Sequence, residues 1–236
     1  MKRADRNGAW PAWMREQAGR TADPALAGFY AAFNLTPSQA ISDTPLVALD
    51  LETSGLDPRR SAILSIGILP FTLDRIRLAD RRYWLLRPPA GVSGHSVAYH
   101  HITHAEIEQA PDFATVLPEL LEALAGRLPV VHYHPIEREF LARAVRQRLG
   151  EDWRFPLIDT MVLESQQVRH GLKSRMRALL GRPPASIRLA DSRARYGLPA
   201  YEGHQAVLDA LATAELLQAQ IQHHHSRSSG IGELWL

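Results

Sequence analysis

Apolar and polar positions divide the chain into a helical beginning, a strand-rich middle and a return to helices. Leu26, Phe29, Tyr30 and Phe33 recur at helical spacing behind Asp23-Pro24, a favourable helix start, so residues 1–44 are predicted to form a separable helical extension. At Leu46 the pattern turns to strands. Leu46–Leu56 is one largely apolar run, Gly55-Leu-Asp-Pro58 turns the chain, and Ala62–Leu69 is a second run. A third strand is expected near Arg82–Arg87, ahead of Pro88-Pro89, and three strands with short connections predict an antiparallel meander.

After Pro88 a loop rich in Gly, Ser and His leads into Thr103–Gln109, and Phe113–Leu124 repeats apolar residues at helical spacing, with Pro118 as a kink and Gly126 as the stop. Leu128–His132 reads as a short buried strand, Ile136–Leu149 as an amphipathic helix and Leu157–Asp159 as a further strand. That order predicts a parallel portion of the sheet, so the fold class is α/β, a mixed five-stranded sheet flanked by helices. Tyr201–Gln222 holds the last helix. Residues 223–236, with Ser226-Arg-Ser-Ser-Gly-Ile-Gly232, read as a flexible tail, which leaves residues 45–222 as the domain proper.

Composition adds a few limits. The 236 residues suffice for one large domain or a domain with an appendage. The absence of cysteine excludes a disulfide scaffold and a thiolate metal site. No run reaches membrane-spanning length and the first residues lack a signal-peptide core, so a soluble, cytoplasmic protein is expected, of unknown oligomeric state. Net charge is only +2, yet residues 169–195 carry eight Arg or Lys against the single acid Asp191. This block is either a solvated loop or a track for a single nucleic-acid strand.

The candidate chemistry begins in the first strand. Strand alternation sends Asp50 and Glu52 to the same side of an otherwise apolar run, with no Lys or Arg between Leu46 and Pro58 to neutralise them. Either the strand shows its polar face to water, or the pair holds a divalent cation; oxygen-only ligands suit Mg²⁺ or Mn²⁺. Two later acids come into view: Glu137, in His132-Tyr-His-Pro-Ile-Glu137-Arg-Glu-Phe-Leu141, and Asp209, in His204-Gln-Ala-Val-Leu-Asp209. Each alone is ordinary for a helix start or a helix surface.

Taken in order, the three motifs resemble the DEDDh family of 3′→5′ exonucleases, which includes the proofreading epsilon subunit of bacterial replicative polymerase, oligoribonuclease and RNase T. The resemblance spans about residues 45–222 and extends to Ile158-Asp-Thr160 and His100-His-Ile-Thr103. The tyrosine branch of the superfamily would have Tyr at Gln205, so the histidine branch fits better. The chain departs from the family twice, with Glu137 where Asp is usual and Tyr133 where Asn is common. The added methylene moves the Glu137 carboxylate outward by about 1.5 Å, and Glu139, two residues on, points to another face of the helix.

The resemblance implies an RNase H-like fold and hydrolysis of a phosphodiester at a free 3′ end, with two divalent cations to neutralise phosphate and leaving oxygen. It implies that Asp50 bridges the ions, that Glu52 and Asp209 serve the nucleophile side, and that Glu137 holds the other ion through water. His204 becomes the candidate base. Thr53, Ser54, Gly55 and Leu56 are expected to receive the 3′-terminal nucleotide, with His132 either facing substrate or serving the strand end. His100, His101 and His104 cluster as zinc ligands might, but the family places a loop there. Single-stranded 3′ ends are the implied partner, and a DNA polymerase is a possible second one. A non-catalytic nucleic-acid-binding module, its second metal site spoiled by Glu137, is the alternative.

Overall fold

The computed structural model describes residues 9–89, 104–169, 179–181, 183–201 and 205–236. Strands β1 (Leu46–Thr53), β2 (Ile63–Phe71) and β3 (Arg82–Leu85) form the antiparallel meander; β4 (Leu128–Val131) and β5 (Ile158–Asp159) add in parallel on the other side of β1, giving the order β3-β2-β1-β4-β5. The mixed five-stranded sheet read from the sequence is thus present. Its helices are α1 (Trp10–Arg20), α2 (Pro24–Ala31), α3 (His104–Gln109), α4 (Phe113–Leu124), α5 (Pro135–Leu149), α6 (Thr160–Arg169), α7 (Leu189–Arg195) and α8 (Ala206–His224). β1 is central, and its Leu46–Leu49 stretch is fully buried, because β2 and β4 pair with its edges while α5 and α8 pack on it. Among the described residues no helix is long and apolar enough to cross a membrane.

Both termini differ from their sequence reading. Asp23 does cap α2, accepting from Leu26 N–H at 2.9 Å. The extension is nevertheless not separable: Met14, Leu26, Phe29 and Tyr30 are buried in the same core as the sheet, and Phe29 stands edge-on to Trp153 and Phe155 at 5.6 and 5.8 Å. Burying four large apolar side chains contributes roughly 1.5–3 kcal/mol each, enough to weld α1 and α2 to the domain. The expected flexible tail is also ordered. Ile231, Leu234 and Trp235 are buried, Ile231 N–H donates to Gln39 O at 2.9 Å, and Leu236 N–H donates to Leu157 O at 2.8 Å beside β5. The polar Ser-Arg-Ser-Ser run hid a short apolar anchor that follows it.

The basic block is partly structural. Arg193 is buried and donates to Ala212 O, Pro199 O and Glu215, while Arg195 pairs with buried Glu164 at 2.7 Å. Tyr196 and Gln220 also donate to Glu164, so α6, α7 and α8 share one hydrogen-bonded junction. Two of the eight cations therefore serve packing; Lys173, Arg175, Arg177 and Arg182 lie outside the described residues.

Candidate active site

The site is assembled on β1. Its register sets Asp50 opposite Gly67 and Glu52 opposite Ser65, and then shifts at Thr53, which faces Ile63. Such an irregularity at a strand end re-aims the chain beside a site. Gly67 is what lets a helix approach: a Cβ there would lie 2.3 Å from the carbonyl carbon of Ala206 and 2.4 Å from Val207 N. The first turn of α8 rests directly on β2, and Asp209, one turn along, reaches the β1 acids. Ligand oxygens of Asp50, Glu52 and Asp209 lie within 4.8 Å of one another.

Glu137 arrives from β4. Although α5 begins with Pro135 and carries Glu137 in its first turn, this Glu does not face water as helix-start acids usually do; it is 2 % exposed, and its Oε2 has no hydrogen-bond partner among the described residues. Burial pushes its carboxyl well above the usual carboxylate range. Asp50 is shifted the same way, first by burial and then by the charges of Asp209, Glu137 and Glu52, so the other three acids all act on it. Glu139 is exposed on another face.

Asp159 fixes the turn that aims Glu137. Its carboxylate accepts from the N–H groups of Tyr133 (3.2 Å) and His134 (2.9 Å), from His134 Nδ1 (2.7 Å), and from Met161 and Val162 N–H at the start of α6. Burial alone would raise its pKa, but the bonds from His134 and Tyr133 outweigh burial and lower it. Tyr133 sits at φ 86°, a left-handed conformation strained for Tyr and easier for the Asn common in the family.

The remaining predicted residues divide. Thr53 Oγ1 donates to Gly55 O at 2.9 Å, and Ser54 exchanges bonds with Ala62 through N–H to O (2.9 Å) and from Ala62 N–H to Oγ (3.0 Å). A Cβ on Gly55 would stand 2.7 Å from Ser61 Oγ. This tight connection leaves Leu56 projecting, 82 % exposed. Of the two expected roles for His132, the contacts are those of the strand end: its Nδ1 lies 2.8 Å from Thr160 Oγ1 and its Nε2 3.1 Å from Ile187 O. Burial pushes its pKa down to about 4, and Nε2 donates to the Ile187 carbonyl. His204, and the histidines at 100 and 101, lie outside the described residues.

Three contributors escaped sequence reading. Gly67 was legible as an isolated glycine in a strand, which signals close backbone approach. Asp159 stood in a family-like stretch without a stated role. Ser65, buried opposite Glu52 with a hydroxyl unpartnered among the described residues, carried no signal.

Clustered carboxylates, with Asp50 and Glu137 raised in pKa and one Glu137 oxygen orphaned among the described residues, are what a divalent-cation site needs, since a cation offsets the mutual repulsion and supplies the missing partner. Comparison with known proteins agrees. The family model described as Exonuclease, of the RNase T type, matches residues 47–217. The chain is 30 % identical over 183 residues to the PolC-type DNA polymerase III of Thermotoga maritima, covering 78 % of this chain but only 12 % of that protein. It is 27 % identical over 177 residues to the DNA polymerase III subunit epsilon of Treponema pallidum, covering 75 % of this chain and 76 % of that one. Among solved structures, the nuclease domain of 3′hExo, a DEDDh family member bound to rAMP, superposes with TM-score 0.60 at 14 % identity, covering 76 % of this chain and 92 % of that chain. Exonuclease X in complex with 5′ overhanging duplex DNA gives 0.57 at 20 % identity, covering 78 % and 96 %. The matched segment runs from β1 into α8 and contains all four acids, and on that ground the chain belongs to the exonuclease family of the RNase T type.

Proposed function

We propose that this exonuclease is metal-dependent and works in the 3′→5′ direction, releasing nucleoside 5′-monophosphates from single-stranded DNA in the cytoplasm. The convergence of Asp50, Glu52, Glu137 and Asp209 carries the reading. Asp50, Glu52 and Asp209 would hold one Mg²⁺ or Mn²⁺, with Asp50 and Glu137 holding a second. Bound there, the ions neutralise phosphate charge and make water a nucleophile near neutral pH. We assign the water's proton to His204, five residues before Asp209, an assignment that rests on the sequence motif alone. The Thr53–Leu56 connection receives the terminal nucleotide, with exposed Leu56 against its base; His132 positions Thr160 and the Ile187 segment instead. The direct test uses DNA and RNA oligonucleotides labelled at one end. A 5′ label should appear in a ladder of progressively shorter strands and a 3′ label in mononucleotide from the first turnover, both blocked by chelator. Internal cuts, or release from the 5′ end, would sink the proposal.

A second reading, a proofreading subunit acting with a polymerase, is favoured by the likeness to the Treponema epsilon subunit across three quarters of both chains. Co-purification with a polymerase tests it.

Glu137 decides between the enzyme and a binding module. Its burial and orphaned Oε2 support a ligand role, whereas exposed Glu139 has none. Glu137→Ala should lower activity by roughly 10–100-fold, as for groups that act on a metal through another ligand. Glu137→Asp should change it modestly and move the preference between Mn²⁺ and Mg²⁺, and Glu139→Ala should not reproduce the loss. If Glu137→Asp switches on a silent protein, the natural chain is the binding module.

A further inference from the structure

A groove of about 680 Å³ opens on the side of α5 turned away from the sheet, between α1 and the β1–β2 connection. Five arginines line it, Arg59, Arg138, Arg143, Arg146 and Arg154, against the single acid Glu139. Some are partly neutralised: Arg146 pairs with Asp152, Arg154 lies 3.9 Å from the same carboxylate, and Arg138 donates to Leu236 O while lying 6.0 Å from the Trp10 ring. Arg59 and Arg143 form no ion pair among the described residues; Arg143 donates to the Arg59 carbonyl at 3.3 Å, which leaves its charge intact. Tryptophans complete the wall. Trp10 and Trp13 of α1 meet edge to face at 5.3 Å and are half-buried, whereas Trp153 is only 2 % exposed.

Excess positive charge beside the half-buried rings of Trp10 and Trp13 suits a polyanion that offers planar faces, which is the chemistry of an unpaired nucleic-acid strand. A duplex presents phosphates but keeps its base faces stacked. The groove is also continuous with the acids along the chain. Pro58 and Arg59 belong to the connection that carries Thr53–Leu56, and Arg138 follows Glu137 in α5. Between Arg138 and Arg146 the helix advances about 12 Å. Because a helix turns about 100° per residue, Glu137 faces the sheet while the arginine stripe faces outward.

We propose that this groove is an exosite for the single strand lying 5′ to the nucleotide being removed, reached around the N-terminal end of α5. The proposal rests on the exonuclease reading for which nucleotide is removed, but strand binding can be measured without turnover. In an Asp50→Asn background, a fluorescent single strand of about twenty nucleotides is titrated by anisotropy at several salt concentrations, with and without Arg59→Ala/Arg143→Ala. Loss of two phosphate contacts should weaken binding about tenfold and flatten the salt slope by about 1.4, at roughly 0.7 per charge on a single strand. Arg59→Lys/Arg143→Lys, which keeps the charges, should restore most of both. In the active protein the alanine pair should lower kcat/KM on the long strand about tenfold more than on a dinucleotide. Unchanged affinity and slope in a folded alanine variant overturn the exosite and leave the groove to an acidic protein surface. If binding falls as expected but no oligonucleotide is degraded by the active protein, the exonuclease reading fails and the strand site stands.

Discussion

Asp50→Asn and Asp209→Asn should each abolish nucleotide release and, in the metal-free protein, raise thermal stability. The loss of activity follows from removing a carboxylate from a group whose oxygens lie within 4.8 Å of one another. The gain in stability follows from the same closeness, because burial and three neighbouring acids disfavour the charged form of Asp50. The sign is that of a raised carboxyl pKa. The folded state binds a proton that the unfolded chain has released, so the contribution to stability is complete below about pH 4 and disappears as pH rises through the raised pKa. Metal-free wild type should therefore lose stability on going from acid to neutral pH, and excess Mg²⁺ or Mn²⁺ should restore it. Asp50→Asn should flatten the pH dependence and shrink the metal-induced rise in Tm. Melts across pH, with and without chelator, check both effects alongside the nuclease assay. Wild-type rates for Asp50→Asn, or undiminished degradation in chelator, would remove the carboxylates from the chemistry.

Gly67→Ala should cost about 10²-fold in kcat without touching an acid. The new Cβ would stand 2.3 Å from the Ala206 carbonyl carbon, and both sides of that contact are backbone, so neither can rotate away. Helix α8 must rise from β2 by about 1 Å and carry Asp209 with it, and displacement on that scale is worth about two orders of magnitude. Overpacking should also lower unfolding free energy by about 1–3 kcal/mol. Gly28 in α2 is the internal control, since a Cβ there meets nothing within 4 Å. Gly28→Ala should stabilise by about 0.5–1 kcal/mol through helix propensity. Urea melts and single-strand degradation measure the pair. Full activity in Gly67→Ala would show that α8 does not need this contact to place Asp209.

Much of the sheet was legible because its strands are short apolar runs between clear turn signals. Leu128–Val131 falls inside its expected span, Ile63–Phe71 runs two residues beyond the expected Ala62–Leu69, and Pro135–Leu149 starts one residue before the predicted helix. The termini were misread for one reason: local polarity describes a segment's own residues, whereas order depends on what it packs against. Ser226–Gly232 is polar, yet Trp235 reaches the edge at Ile158. Arg193 and Arg195 fell in a block that reads as either a solvated loop or a strand track, because sequence shows charge but not its partner, here Glu215 and Glu164.

By itself the sequence determined the fold class, the same-face pair Asp50 and Glu52, and through three ordered motifs the four acids, since alternation along a strand and spacing along a helix are local properties. Tertiary structure alone decided that these acids meet, and it did so through contacts far apart in the chain. Gly67 admits α8 to the sheet, Asp159 holds the β4–α5 turn that buries Glu137, and Thr160 and Ile187 occupy both nitrogens of His132. Closeness across a hundred or more residues depends on which surfaces can pack without a side chain between them, and no pattern along the chain records that distance.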